Sequence, residues 1–205
     1  MKTISISIDR PEKEKIKKIV GALKEGKAVV IPTDTAYGLA ANALDEKAIK
    51  KVFAIKKRPK LKPFSVLVRD QKMAERIAYF NSRAKKIFKK FLLGPLTVVV
   101  KKKRVVPNIL TSGQSNIGIR VSGDKVTRAL MKKTDFPITA TSANLSGKKV
   151  PYSIEEVLKQ YKDQKLKPDL IVDAGPLLKV KPSTILDLSG KKPKILRKGP
   201  IDILR

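Results

Sequence analysis

Short β-branched runs alternating with amphipathic stretches predict an α/β (mixed α+β) fold, with a twisted, mostly mixed β-sheet flanked by helices. Residues 28–31, Ala-Val-Val-Ile, form a continuous apolar run of the kind a strand buried on both faces requires. Residues 11–23 set Ile16, Ile19, Val20 and Leu23 on one helical face, and Gly26 closes that helix. Residues 3–8 alternate apolar and polar, the period of a half-buried strand. No repeat or low-complexity linker interrupts the 205 residues, so a single domain over 1–205 is expected.

Further along, Pro32 stops the 28–31 strand, and Asp45 is placed to cap a helix carrying Ala48, Ile49, Val52 and Phe53. A strand is expected at 64–68, then helices at 70–79 and 82–91. Further strands are read at 96–100, 117–121, 137–140, 170–172, 183–188 and 194–196, with helices at 124–133 and 154–161.

Charge is the strongest compositional signal: 47 Lys and Arg against 18 Asp and Glu give a formal +29. That excess points to polyanionic partners, although Lys-rich helix faces also serve solubility. With no Cys and no His, the chain has no soft or imidazole metal ligand and no histidine for a catalytic triad. No metal site is expected, and any metal must be hard, oxygen-bound and carried by a nucleotide. No apolar run approaches the ~18 residues of a membrane helix, and no secretory core opens the chain. A cytoplasmic protein with no membrane partner is therefore expected.

Four segments at strand ends carry the chemistry, where α/β folds place ligands. Pro32-Thr33-Asp34-Thr35-Ala36-Tyr37-Gly38-Leu39 offers hydroxyls and amides to a small polar substrate, and is equally readable as a capped turn. Lys56-Lys57-Arg58-Pro59-Lys60-Leu61-Lys62-Pro63 is a proline-stiffened loop with five cations, suited to a triphosphate or to solvent. Thr139 to Gly147 contains no bulky residue before Leu145, so backbone can approach a ligand there. Ser183-Thr184 opens one strand and Arg197 closes another. The phosphate-loop and dinucleotide glycine patterns are both absent.

Taken in order, Pro32-Thr33-Asp34-Thr35-x-Tyr37-Gly38-Leu39, Lys56-x-Arg58-Pro59, Gly94-Pro95-Leu96-Thr97, Gly118-Ile119-Arg120-Val121, Ser142-Ala143-Asn144-x-Ser146-Gly147, Ser183-Thr184 and Leu196-Arg197-x-Gly199 resemble the YrdC-like (TsaC) threonylcarbamoyl-AMP synthase family. The set spans roughly residues 10 to 200. The resemblance implies a YrdC-like fold with a basic concave face. It also implies a nucleotidyltransferase that joins L-threonine, bicarbonate and ATP into threonylcarbamoyl-AMP and pyrophosphate, with Mg2+ carried on the nucleotide. Its expected partners are tRNA or other RNA and a downstream threonylcarbamoyl transferase complex.

By position, the resemblance gives Lys56 and Arg58 as catalytic residues and Thr35, Arg120, Ala140 and Ser183 as contacts for L-threonine. Lys56, Arg58, Lys62, Asn116, Ser142, Asn144 and Arg197 fall to the nucleotide. Some relatives have Asn at Lys62 and His at Leu67. The second domain of longer members has no counterpart in this sequence, which looks like the short single-domain form. A non-enzymatic module of the same fold that binds double-stranded or structured RNA, as in the YciO-like branch, is the alternative. The Ser-Ala-Asn element and the Lys-x-Arg loop favour the synthase. The YrdC-like domain of hydrogenase-maturation carbamoyltransferases fits less well, because the extra domains and zinc modules that accompany it are absent.

Overall fold

A computed structural model of the chain describes residues 1–59, 61–190 and 192–202. Apolar stripes fix the helices. In α1 (Lys13–Lys24) the buried residues are Ile16, Ile19, Val20, Ala22 and Leu23, and in α2 (Glu46–Lys56) they include Ala48, Ile49, Val52 and Phe53. Side-chain caps set the helix starts: Asp45 Oδ1 accepts from Lys47 N at 2.8 Å, and Asp124 Oδ1 from Thr127 N at 2.7 Å. The second of these begins α5 (Lys125–Lys133), which packs against α1. The remaining helices are α3 (Gln71–Ile77), α4 (Ser82–Lys90) and α6 (Ile154–Tyr161). Among the described residues no helix is long and apolar enough to cross a membrane.

The strands form two mixed sheets. The first runs β1 (Lys2–Ser5), β8 (Leu170–Asp173), β2 (Val29–Ile31), β3 (Gly38–Ala40), parallel except for the β2–β3 pair. The second runs β10 (Lys194–Arg197), β9 (Thr184–Asp187), β5 (Leu96–Lys101), β6 (Asn116–Arg120), β4 (Ser65–Leu67), β7 (Ile138–Ala140). There β5–β9 and β4–β6 are parallel and the other pairs antiparallel.

Two sheets replace the one that the sequence suggests, and the reason is a side chain. β3 and β7 lie side by side, joined by Leu39 N to Thr141 O at 2.8 Å and Thr139 N to Ala41 O at 2.9 Å. At the remaining positions the buried Thr139 hydroxyl takes over: it accepts from Ala41 N at 3.1 Å and donates to Leu39 O at 3.0 Å. The ladder becomes a seam, with single bridges at Gly38–Ser142 and Asn42–Ile138.

Two further differences have local causes. β3 lies inside what reads as a loop, because Gly38-Leu39-Ala40 is too short and small to show a strand period. β1 stops at Ser5, three residues early: Ile6 N still reaches Asp173 O, but Ser7 Oγ accepts from Arg10 N at 3.1 Å and turns the chain.

Thr139→Val keeps the shape of the side chain and leaves Ala41 N and Leu39 O buried without their partner. It should cost about 2–4 kcal/mol in denaturant unfolding, at ~1–3 kcal/mol for each stranded group.

Candidate functional site

A cavity of about 560 Å³ opens on the seam, within the ~300–1,000 Å³ range of ligand-binding clefts. Its floor is the second sheet, where Thr97, Gly118 and Ser65 stand side by side on β5, β6 and β4. A Cβ on Gly118 would collide with Ser65 Oγ and stand 3.1 Å from Thr97 Cγ2, so only glycine keeps this floor flat.

The 32–37 loop forms one wall, pinned to the start of α5 by Thr127 Oγ1, which donates to Pro32 O at 2.6 Å. Inside the loop, Thr33 Oγ1 accepts from Thr35 N and Ala36 N and donates to Ala36 O. Thr35 Oγ1 lies 3.2 Å from Thr33 Oγ1 and accepts from Arg120 Nη1 at 3.3 Å. Arg120 is also ion-paired, through Nη2, to Asp34 Oδ1, which accepts from Ser122 Oγ at 2.7 Å. Tyr37 is fully buried; its hydroxyl donates to Gly175 O at 2.7 Å and accepts from Ala174 N at 3.0 Å. Burial pushes that phenol up to about 12, so it stays protonated and holds the root of the 174–182 segment whose Val180 and Pro182 reach the cavity.

Across the mouth, Lys57 in the left-handed region (φ 49°) ends α2 and sends Arg58 toward the cavity. Arg58 Nε donates to Lys62 O at 2.9 Å and Nη2 to Pro63 O at 3.0 Å, with the guanidinium 5.0 Å from the Phe64 ring centre. It folds the basic loop back on itself and brings Lys62 to the cavity wall. Lys60 of that loop lies outside the described residues. On the far side, Arg197 donates from Nε to Ser183 O at 2.9 Å and from Nη2 to Ser183 Oγ at 3.0 Å, while Ser183 Oγ and Thr97 Oγ1 share a 2.9 Å bond. Burial, and then the charge of Arg120, lower the Arg197 guanidinium.

The structure thus brings Thr35, Arg120, Ala140 and Ser183 together with Arg58, Lys62, Asn116, Ser142 and Arg197 around one space. Lys56 and Asn144 stand apart from it. Lys56 is 1% exposed at the last turn of α2; its Nζ donates to Ser142 O, to Asn144 O at 2.7 Å and to Asn144 Oδ1 at 3.3 Å. Asn144 Oδ1 also accepts from Ser142 Oγ at 2.5 Å, and Nδ2 donates to Lys148 O at 2.6 Å. The phosphate contact expected of Lys56 meets an ammonium that is already hydrogen-bonded to three oxygens beneath the 142–144 loop.

Sequence reasoning missed Asp34, Tyr37, Thr97 and Ser122 as parts of the site. Asp34, Tyr37 and Thr97 stand inside the motif stretches and Ser122 two residues after Arg120, but nothing in the sequence shows which of these side chains meet at the site.

Arg58, Lys62, Arg120 and Arg197 line the cavity, and among the described residues no Asp or Glu does. An α/β protein with a hydroxyl-lined, cation-rich pocket at a sheet seam has the chemistry that anion binding requires. Residues 21–199 match the Sua5/YciO/YrdC family, whose description reads "Telomere recombination", and the chain belongs to that family. It is 42% identical over 99% of its length, and 96% of the relative's, to a Methanocaldococcus jannaschii protein whose name provisionally gives it as a threonylcarbamoyl-AMP synthase. A Pyrococcus abyssi threonylcarbamoyl-AMP synthase is 36% identical over 98% of the chain, which spans only 59% of that longer protein. The crystal structure of P. abyssi Sua5 complexed with L-threonine superposes with a TM-score of 0.91 at 36% identity, over 97% of this chain and 58% of that one. Escherichia coli YciO gives 0.88 at 27% identity, over 99% and 98%.

Burial, with Arg58 nearby, pulls the Lys56 ammonium down from the ordinary lysine range to about 7. The unfolded chain then holds a proton that the folded chain releases, so stability should rise with pH from about 7 to ~10, by at most about 1.4 kcal/mol per pH unit. Lys56→Met should flatten that rise in denaturant titrations at pH 7 and 9. A flat wild-type profile would show that the three oxygens keep the ammonium charged.

Proposed function

We infer that this chain is an L-threonylcarbamoyladenylate synthase, a nucleotidyltransferase acting on L-threonine, bicarbonate and ATP in the service of threonylcarbamoyladenosine formation in tRNA. The observation that carries the reading is the cavity itself: among the described residues its lining has four cations, a row of hydroxyls and no carboxylate, in a chain of this family. We read residues 1–205 as one such domain, working in the cytoplasm.

Thr35, Arg120, Ala140 and Ser183 form the threonine side, and Arg58, Lys62, Asn116, Ser142 and Arg197 the nucleotide side. Lys56 acts through the 142–144 loop, with Asn144 as its link. The threonine ammonium first gives up a proton to solvent; the free amine then attacks the bicarbonate carbon, and loss of water gives N-carboxythreonine. A carboxylate oxygen of that species then attacks the α-phosphorus of ATP, and the bond to the pyrophosphate oxygen breaks. No side chain lining the cavity is a strong base, so positioning and charge stabilisation supply the rate, with Arg58 and Lys62 receiving the departing pyrophosphate. Among the described residues the lining offers a metal ion no carboxylate, and there is no cluster of three or more acidic, His or Cys side chains. The residues do not fit a resident magnesium site; any magnesium enters ligated by the phosphates.

Pyrophosphate release with ATP and magnesium should require both L-threonine and bicarbonate, and mass spectrometry should detect threonylcarbamoyl-AMP. Arg58→Ala should slow the reaction about 100-fold or more, the scale of losing one preorganised charge contact. Normal turnover by that variant would remove Arg58 from the phosphate clamp.

The net charge of +29 also supports RNA as a partner, at a basic concave face around the cavity mouth, with hand-over of product to a transferase complex. RNA affinity should then fall steeply as salt rises, and an affinity indifferent to salt would overturn a phosphate-driven contact.

A further inference from the structure

Arg120 lines the cavity yet turns little of itself toward it. Of its guanidinium nitrogens, Nη2 faces Asp34 and Nη1 reaches Thr35 Oγ1, while Nε is buried without a partner. Among the described residues no other hydrogen bond or ion pair anchors the group. Arg197 shares the cavity, and its guanidinium is lowered first by burial and then by the charge of Arg120. Two like charges in one low-dielectric space repel, and a long side chain under repulsion needs a fixed counter-charge to keep one rotamer.

Asp34 is that counter-charge, and it is kept at a cost. Its Oδ2 is buried with no hydrogen-bond partner, and Asp124 nearby is raised by burial and by the Asp34 charge. A half-satisfied carboxylate is a poor way to hold a loop. The loop does not need it: Thr127 to Pro32 O and the Thr33 hydroxyl already fix residues 32–36. Ser122, in contrast, serves the carboxylate directly, donating to Oδ1 at 2.7 Å, and Asp124 N donates to Ser122 Oγ at 3.3 Å. A chain of contacts therefore runs from the cap of α5 through Ser122 and Asp34 to Arg120, and ends at Thr35 on the cavity wall.

We propose that Asp34 is a positioning residue for the threonine subsite: its carboxylate, braced by Ser122, holds Arg120 so that Nη1 stands beside Thr35 to receive the carboxylate of the amino-acid substrate. The assignment rests on the synthase reading above. Threonine recognition then depends on Asp34 although Asp34 touches neither substrate nor nucleotide, and the ATP side is indifferent to it.

Asp34→Asn preserves shape and an acceptor for Ser122 while removing the charge. It should raise KM for L-threonine about 10-fold or more, leave KM for ATP within about 2-fold and change kcat little, the signature of lost uniform binding of one substrate. Ser122→Ala should shift the threonine KM in the same direction by a smaller factor. In an Arg120→Lys background, Asp34→Asn should add almost nothing, because the group it positions is gone. Equal rises in both KM values, an unchanged threonine KM or additive effects with Arg120→Lys would overturn the proposal. Calorimetric titration of L-threonine into the wild type and Asp34→Asn separates it from the wider reading. A wild type that binds threonine but makes no adenylate removes the synthase assignment, and the ratio of the two affinities still decides the role of Asp34.

Discussion

The hydroxyl of Thr139 occupies two positions that a backbone ladder would otherwise fill, and the arrangement of the molecule follows from that substitution. Because the side chain accepts from Ala41 N and donates to Leu39 O, β3 and β7 stay adjacent without merging. Every backbone group in a protein interior must find a partner, so a seam of this kind is stable only where a side chain completes the accounting. The two sheets are then free to meet at an angle of their own, and the residues that flank the join, Gly38 on one side and Ala140 to Ser142 on the other, become lining rather than core.

Electrostatics governs what the space at that join can hold. Cations collect around it, and the protein answers them chiefly with carbonyl and hydroxyl oxygens: Lys62 O and Pro63 O for Arg58, Ser183 O and Oγ for Arg197. Dipoles orient a guanidinium without cancelling its charge, so the cavity keeps a net positive field for a ligand to neutralise. Arg120 is the exception, with a carboxylate at its back. Its side of the cavity is accordingly the less positive one, which suits the zwitterionic amino acid proposed for it.

Most of this was legible in the sequence, for reasons that differ from element to element. α1 and α2 announce themselves because a helix buries one stripe, and the spacing of Ile16, Ile19, Val20 and Leu23 is visible without knowing what covers it. β2 is visible because both its faces are buried. β3 is not, since three small residues carry no period, and the split between the sheets is not, since it depends on one hydroxyl meeting two partners about 100 positions away. The same distinction holds in the site. Thr35, Arg58, Arg120, Ser142, Ser183 and Arg197 lie in short, unusual stretches that point to themselves. Lys56 lies in such a stretch too, but whether its ammonium faces a cavity or the underside of a loop is settled by where the Ser142 and Asn144 carbonyls point, a tertiary fact. Asp34 stands in a stretch that the sequence marks, but its role was hidden because its partner, Arg120, is a long-range one.

The ring of residues around the cavity draws on both ends of the chain: Thr33 and Thr35 enter early, Ser183 and Arg197 late, and β9 joins the floor only by pairing with β5. During synthesis, the 33–38 wall and the 58–63 loop leave the ribosome long before the strands that complete their surroundings. Each of the cavity's cations gains neighbours there from segments distant in sequence. The cavity therefore belongs to no single segment: it exists only where the early wall and the late strands meet.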